Sequence, residues 1–369
     1  MERCDVLIVG GGPAGSSCAW ALRGSGLDVA VMDRSRFPRD KVCAGWITPG
    51  LVDALDLDLA DFARGRTLQA ITSFRTGLLG GRPIGTRFDR TVSYGIRRCE
   101  LDDYLLRRAG ARLILGEAVR ELVRDGSDWV VNGRLRAPML VGAGGHACPV
   151  ARLLRAGADD SVPVIRAQEA EFQVPEGTGG AVRGETPELY FCPDLAGYGW
   201  LFRKGDYLNV GLGREDPRDL PGHLRRFCAW LRETGRLSES PAAFKGHAYR
   251  LYHGAMPSPL ADGVVLIGDA AGPAHPQTGE GIRPAAESGL AAAAVIREAE
   301  GDYRGGRLTG YVDRLHARLG RPGRGPSGWI PRPARHALGR AMLGNPWLTR
   351  RVVLEDWFLQ RKKGVRSLF

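Results

Sequence analysis

The residues with the clearest chemical purpose stand within the first thirty-four positions. Gly10-Gly11-Gly12-Pro13-Ala14-Gly15 follows the apolar run Asp5-Val6-Leu7-Ile8-Val9 and leads into the helix-compatible stretch Ser16 to Arg23. A second apolar run, Val29-Ala30-Val31-Met32, ends on Asp33 and Arg34. Strand, glycine turn, helix, strand and terminal acid in this order form the βαβ pattern that binds a dinucleotide. Each part has its own reason. Gly10 permits the tight turn, Gly12 lets a pyrophosphate approach the backbone, and Gly15 lets helix pack on strand. The helix that starts at Pro13 and Ala14 turns its unpaired N–H groups toward the anion. Asp33 is placed to bind a ribose hydroxyl pair.

Three further clusters stand out. Gly268-Asp269-Ala270-Ala271-Gly272 follows the buried-strand run Gly263 to Ile267, and Gly279-Glu280-Gly281-Ile282 opens a small-residue helix that reaches Arg297. In Tyr198-Gly199-Trp200-Leu201-Phe202, the period-2 spacing puts three aromatic rings on one face of a strand, as core or as the lining of an apolar site. Lys41-Val42-Cys43-Ala44-Gly45 sets one cysteine in a loop. The other six cysteines are scattered without a CxxC pair, which argues against zinc, a disulfide framework or an iron–sulfur cluster.

The elements that must position these residues alternate between strand and helix. Residues 1–65, 93–157 and 260–300 read as one discontinuous α/β dinucleotide-binding domain. Residues 66–92 and 158–259 read as an interrupting sheet-rich substrate domain. Residues 301–369 read as a basic helical C-terminal segment, with a proline- and glycine-rich linker at 320–333 and helices over 334–343 and 347–362. At 369 residues the chain is long enough for this arrangement. Its first residues enter a strand at once and no apolar run is long enough to span a bilayer, so the sequence reads as cytoplasmic.

The net charge of +11 is unevenly placed. Residues 301–369 hold 15 basic and 4 acidic side chains, whereas residues 1–300 hold 37 of each sign. The C-terminal segment is therefore either a solvated arginine-rich surface or a surface that binds nucleic acid, an acidic partner or, by peripheral contact, an anionic membrane. No nucleic-acid-binding pattern accompanies the charge.

Together these motifs resemble the FAD-dependent oxidoreductases with the p-hydroxybenzoate hydroxylase fold, and within them the geranylgeranyl reductases. The resemblance covers residues 3–300. Arg98-x-x-Leu101-Asp102 is similar to the family's R-x-x-F-D, whose arginine reaches the FAD pyrophosphate. Gly268 to Gly272 with Pro276 to Ile282 resembles GDAAG…P-x-x-GEGI. This assigns Asp269 to the ribityl hydroxyls and the Gly279–Ile282 turn to the isoalloxazine ring. Tyr198-x-Trp200-x-Phe202 is similar to the reductases' Y-x-W-x-F-P and implies substrate binding by Tyr198, Trp200 and Phe202. The 41–45 loop falls where the reductases carry a cysteine beside the flavin, which makes Cys43 the candidate catalytic residue and places Cys43 and Ala44 at the cofactor; a buried structural cysteine is the alternative.

Three departures limit what is inherited. Gly144 stands where related hydroxylases carry an aspartate linked to NAD(P)H use, Arg203 replaces the proline of the aromatic motif, and Ala44 replaces a glycine. The resemblance implies hydride transfer between flavin and an apolar isoprenoid or polyketide-like substrate, with NADPH or NADH as reductant. The alternatives are a flavin monooxygenase acting on an aromatic or olefin, a flavin halogenase, and a membrane-docked electron carrier.

Overall fold

The computed structural model describes residues 1–154, 164–174, 181–216, 218–252, 259–319 and 332–360. The β-branched run Val6–Val9 is buried along its whole length, as a central parallel strand must be. Val29–Asp33 and Met139–Gly142 flank it in parallel, with Arg112–Leu115 and Val264–Leu266 outside them. The antiparallel edge strand Leu260–Ala261 completes six strands.

Helices Pro13–Leu22 and Ile282–Glu298 cover one face of this sheet, burying Val6, Ile8, Val31 and Val141 against Cys18, Leu22, Ala292 and Val295. Their approach is close. A Cβ on Gly289 would lie 2.2 Å from the Ala14 carbonyl oxygen. A four-stranded sheet of Glu2–Arg3, Leu135–Ala137, Asp128–Val131 and Leu122–Asp125 lies against the other face through Trp129, Val131 and Leu135. The expected α/β dinucleotide-binding architecture is thus present, its parallel sheet covered on both faces.

A seven-stranded sheet stands beside it, in the order Lys245–Arg250, Val164–Gln173, Tyr207–Arg214, Gly197–Lys204, Glu188–Phe191, Ser73–Leu78, Ile84–Arg87. Alternation along Gly197–Lys204 sends Leu201 under helix Leu220–Glu233 and sends Trp200 and Phe202 to the opposite face. Leu68–Ile71 departs from this sheet. It pairs with Ser93–Ile96, whose other edge takes Trp46–Ile47, in a small three-stranded sheet next to the cysteine loop.

The C-terminal helical reading needs correction in shape. Arg332–Gly344 is helical, Pro346–Leu348 is a short turn capped by Asn345, and Thr349–Phe358 is wound with π-type bonds. The wider turn lets Val353, Leu354 and Phe358 face the same aromatic cluster as Trp200 and Phe202. This stretch is therefore built into the core. The expected linker lies almost wholly outside the described residues, as do residues 361–369. Among the described residues no helix is long and apolar enough to cross a membrane.

Candidate functional site

The glycine turn has little freedom. Gly10 has φ +118°, and a Cβ there would lie 2.3 Å from the Ala143 carbonyl oxygen. A Cβ on Gly15 would lie 1.9 Å from the Gly10 oxygen. Asp33 accepts the Gly11 N–H at 2.8 Å and the Ser35 N–H at 2.8 Å, which ties the turn to the end of the second strand. Arg34 is exposed. Gly12 caps the helix with no side-chain acceptor, so the first N–H groups stay available to an anion.

Two guanidinium groups stand near this helix start. Arg98 makes a bidentate pair with buried Asp102, 2.9 Å on each arm, and Arg39 meets the same carboxylate at 3.4 Å. The R-x-x-L-D spacing is one helical turn, which is why the pair forms. Two cations on one carboxylate leave a net positive charge. An Nη of Arg39 would come within 3.4 Å of a Cβ on Gly12. Glycine cradle, free helix start and surplus positive charge fit a pyrophosphate.

A second helix start lies at Gly281, again without a side-chain cap. Gly279 has φ +68°, and a Cβ on it would lie 2.3 Å from the Tyr249 hydroxyl. Tyr198 donates to the Thr278 carbonyl at 2.6 Å and so holds this turn against the aromatic strand. Asp269 lies 3.4 Å from His247, whose ring is 2.7 Å from the Lys41 ammonium. Burial pushes the Asp269 carboxyl up, but the His247 hydrogen bond and the charges on Lys41 and Arg98 outweigh it and hold the carboxyl below its usual range. Burial brings Lys41 down to about 8 despite Asp269. Burial also pushes Glu280 up to about 7; it accepts from Gln360 at 2.7 Å.

The cysteine loop sits on a buried polar network supplied by the seven-stranded sheet. The Cys43 N–H donates to Glu169 at 2.7 Å, and the Ala44 carbonyl accepts from the fully buried Lys204 at 3.0 Å. Lys204 pairs with Glu171, which Arg97 also reaches at 3.0 Å. Asn209 joins the parts, donating to Glu169 at 3.0 Å and accepting from the Trp200 indole at 2.7 Å.

Two spaces adjoin these groups. A pocket of about 90 Å³ lies between Phe191, Tyr198, Trp200, Tyr249 and the Thr278–Gly279 turn. A larger cavity of about 470 Å³ is lined by Lys41, Cys43, Arg97, Arg98, Glu169 and Lys245, among others. The first is aromatic and the second charged.

Comparison with known proteins shows where this geometry belongs. Residues 5–86 match the family described as FAD dependent oxidoreductase. The menaquinone reductase of Mycobacterium tuberculosis H37Rv is 32% identical over 330 residues, covering 80% of this chain and 77% of that one. The geranylgeranyl diphosphate reductase of Rhodobacter capsulatus is 30% identical over 318 residues, covering 79% and 74%. The chain belongs to the geranylgeranyl reductase-like FAD-dependent oxidoreductases. A geranylgeranyl bacteriochlorophyll reductase-like protein from Thermoplasma acidophilum shares the fold, with a TM-score of 0.74 at 24% identity over 93% of this chain and 88% of that one.

As a reductase-like flavoenzyme, the protein gathers its sequence-marked residues in three neighbourhoods. Gly10, Gly12, Pro13, Ala14, Gly15 and Asp33 form the glycine turn and the first helix start. Arg98 and Cys43 border the larger cavity, Asp269 meets His247 beside Lys41, and Gly279 borders the aromatic pocket, with Glu280, Gly281 and Ile282 at the second helix start. Gly268, with φ +59°, donates to Ser288 and turns the chain so that Asp269 faces Lys41. Phe202 is set apart from Tyr198 and Trp200 by its neighbours. It packs edge-on to Trp46 and is 1% exposed, so it supports the site from within the core. Sequence reasoning did not mark Arg39, Lys41, Glu169, Lys204, Asn209, His247 or Tyr249. Only Lys41 carried a signal, its place in the cysteine motif. Arg39 lies in the loop before that motif, and the other five lie on strands whose register the motifs do not specify.

Proposed function

We propose that the protein reduces a carbon–carbon double bond of an elongated isoprenoid substrate. The observation that carries this reading is the aromatic pocket of Tyr198, Trp200, Phe191 and Tyr249, which opens on the Thr278–Gly279 turn. Rigid aromatic walls, continued by Ile165, Leu195 and Leu251, suit a flexible hydrocarbon chain. The related menaquinone reductase and geranylgeranyl diphosphate reductase carry names for such substrates. Bound FAD supplies hydride; the protein supplies position, exclusion of water and a proton.

In this reading Gly12 and the helix start hold the pyrophosphate with Arg98 and Arg39, Asp33 holds the ribose, and Asp269 holds the ribityl hydroxyls. Gly279 to Ile282 direct N–H groups at the ring. Cys43, with Gly45 N–H 3.4 Å from its sulfur, stands at the flavin edge of the loop as the proton donor. The seven-stranded sheet is the substrate domain. NADPH or NADH supplies the electrons. A Cβ on Gly144 would lie 3.1 Å from the Cys148 Cα, so the hydroxylase aspartate would fit here only with a small shift of that turn.

The experiment is anaerobic. Holoenzyme reduced by dithionite and freed of the excess is mixed with polyprenyl diphosphates, polyprenyl quinols, whose ring can take no more electrons, or small aromatic acids. Reoxidation of the flavin by polyprenyl compounds alone supports the reading, and reoxidation by none of them argues against it. Failure of both nicotinamides to bleach a flavin that dithionite bleaches would assign a protein electron donor.

Lys41 makes a pH prediction. Its ammonium is charged below about pH 8 and neutral above it in the unliganded protein. Affinity for the anionic cofactor should therefore fall by about tenfold as pH rises from 7 to 9.5, the loss of one charge contact. Lys41→Met should bind FAD weakly with this pH dependence removed. Titration of FAD fluorescence checks both; an unchanged pH profile in the variant would remove Lys41 from the site.

The C-terminal segment supports peripheral contact with an anionic bilayer. Leu338 and Trp347 are exposed large apolar side chains, with Arg340, Arg350 and Arg351 exposed nearby in the chain. An interfacial tryptophan among arginines suits the headgroup region. Co-sedimentation with phosphatidylglycerol vesicles should weaken several-fold in Trp347→Ser and fall with salt. Equal binding to neutral vesicles at high salt would contradict this.

A further inference from the structure

The buried carboxylate under the cysteine loop has a feature the proposed reaction leaves unused. Glu169 and Glu171 lie two residues apart on Val164–Gln173 and so face the same side of the sheet. Their charges are not balanced alike. Glu171 takes the Lys204 ammonium and the Arg97 guanidinium. The contacts that Glu169 makes are with neutral donors, the Cys43 backbone N–H at 2.7 Å and the Asn209 amide at 3.0 Å. It is 6% exposed, and it borders the cavity of about 470 Å³ that also reaches Lys41 and Cys43. A carboxyl in this setting can take or release a proton through the cavity while its neighbour stays ionised.

We propose that Glu169 is a positioning residue for Cys43, holding the loop by its backbone and setting the electrostatic environment of the thiol according to whether Glu169 carries a proton. The inference rests on the reading that places Cys43 beside the flavin. The proton exchanged belongs to the carboxyl, COOH giving COO⁻ with the proton passing to water in the cavity, and no redox step is involved.

Burial pushes the Glu169 carboxyl up to about 7, against the Cys43 N–H, the Asn209 amide and the charge on Lys204, with Glu171 adding to the rise. The groups facing it come from every neighbouring element. Asn209 stands on the adjoining strand Tyr207–Arg214 and Lys204 on the strand beyond it, and Lys245 is the register partner of Glu169 on the other side. Lys41, Asp40 and Cys43 come from the loop, Arg97, Arg98 and Cys99 from the helix beside it, and Glu239 from the far rim of the cavity. Lys204, the cation whose charge opposes the rise at Glu169, is engaged with Glu171.

The test follows alkylation of the Cys43 peptide by iodoacetamide, read by mass spectrometry on the FAD-loaded protein from about pH 5.5 to 9. A lone thiol gives a smooth titration. Ionisation of Glu169 near pH 7 should add a break, above which alkylation falls about threefold below the extrapolated curve, because a nearby negative charge disfavours the thiolate. Glu169→Gln should remove the break while retaining flavin absorbance. Asn209→Asp, which keeps an acceptor for the Trp200 indole and adds a like charge, should move the break to higher pH. A wild-type profile without a break near pH 7 overturns the proposal even if Glu169→Gln fails to fold, and so does a break near pH 7 that persists in Glu169→Gln; a step at about pH 8 from Lys41 is common to both proteins. Loss of the flavin reading is seen separately: a protein that binds no FAD removes the proposed reaction, whereas the Cys43 profile still reports on Glu169.

Discussion

Gly15→Ala is expected to purify without flavin. The added Cβ would lie 1.9 Å from the Gly10 carbonyl oxygen and 3.1 Å from an Ile8 methyl group. The first of these is backbone, so no side chain can swing aside. Relief requires the turn itself to move, and that turn is held by the Gly11 N–H to Asp33 at one end and by close contact of Gly10 with Ala143 at the other. A backbone shift of this kind costs about 3 kcal/mol or more, which is a factor of at least about 100 in cofactor affinity. The ratio of flavin to protein absorbance after purification, and an FAD titration of the apoprotein, measure it. Stoichiometric flavin in the variant would show that the glycine turn does not carry the pyrophosphate.

Lys204→Met should cost more in stability than in any single contact with a ligand. The side chain fills a slot in which a Cβ on Gly95 would meet its Cγ at 3.0 Å. Its ammonium joins the cysteine loop, through the Ala44 carbonyl, to Glu171 on the sheet. Methionine keeps the volume and removes the charge. Glu171 then retains Arg97 and Asn209 but loses its closest cation, and breaking a buried pair in this way costs about 3–5 kcal/mol. At this chain length the midpoint of thermal unfolding should fall by about 4–6 °C.

The pH dependence has a definite sign. Burial pushes the Glu171 carboxyl up, but Lys204 outweighs it with help from Arg97, and the folded-state value is depressed. A depressed carboxyl stabilises the fold above its unfolded-state pKa and loses that contribution as pH falls through the folded value. The stability gap between wild type and variant should therefore narrow toward acid. A gap that widens toward acid would mean that Glu171 is not the partner that matters.

The fold was legible where the chemistry demands particular residue types at fixed spacing. A glycine with φ +118° and another with no room for a Cβ leave a mark that survives in any readable sequence, and so does a buried parallel strand of β-branched residues. The aromatic alternation from Tyr198 to Phe202 was readable for the same reason, since a period of two assigns faces without knowledge of the partner strands. The polar network was not readable. Glu169, Asn209 and Lys204 meet only because Val164–Gln173 and Tyr207–Arg214 pair in one register, with Glu169 opposite Gly211 and Glu171 opposite Asn209. A shift of one residue would turn all of them to the other face. The return of the C-terminal stretch to the site was hidden in another way. Its arginines dominate the composition, whereas Phe358 decides its position by stacking on Trp46 at 5.3 Å.

The measurement that bears most directly on the central claim is the mass of the product from a single turnover. Reduced holoenzyme is mixed with a polyprenyl substrate, once under argon and once in air, and the lipid is extracted and weighed by mass spectrometry. A reductase of the kind described here adds two hydrogens, a gain of about 2 Da in both arms, and consumes the reduced flavin under argon. Product that appears only in air and is heavier by about 16 Da would mark oxygen insertion and contradict the account.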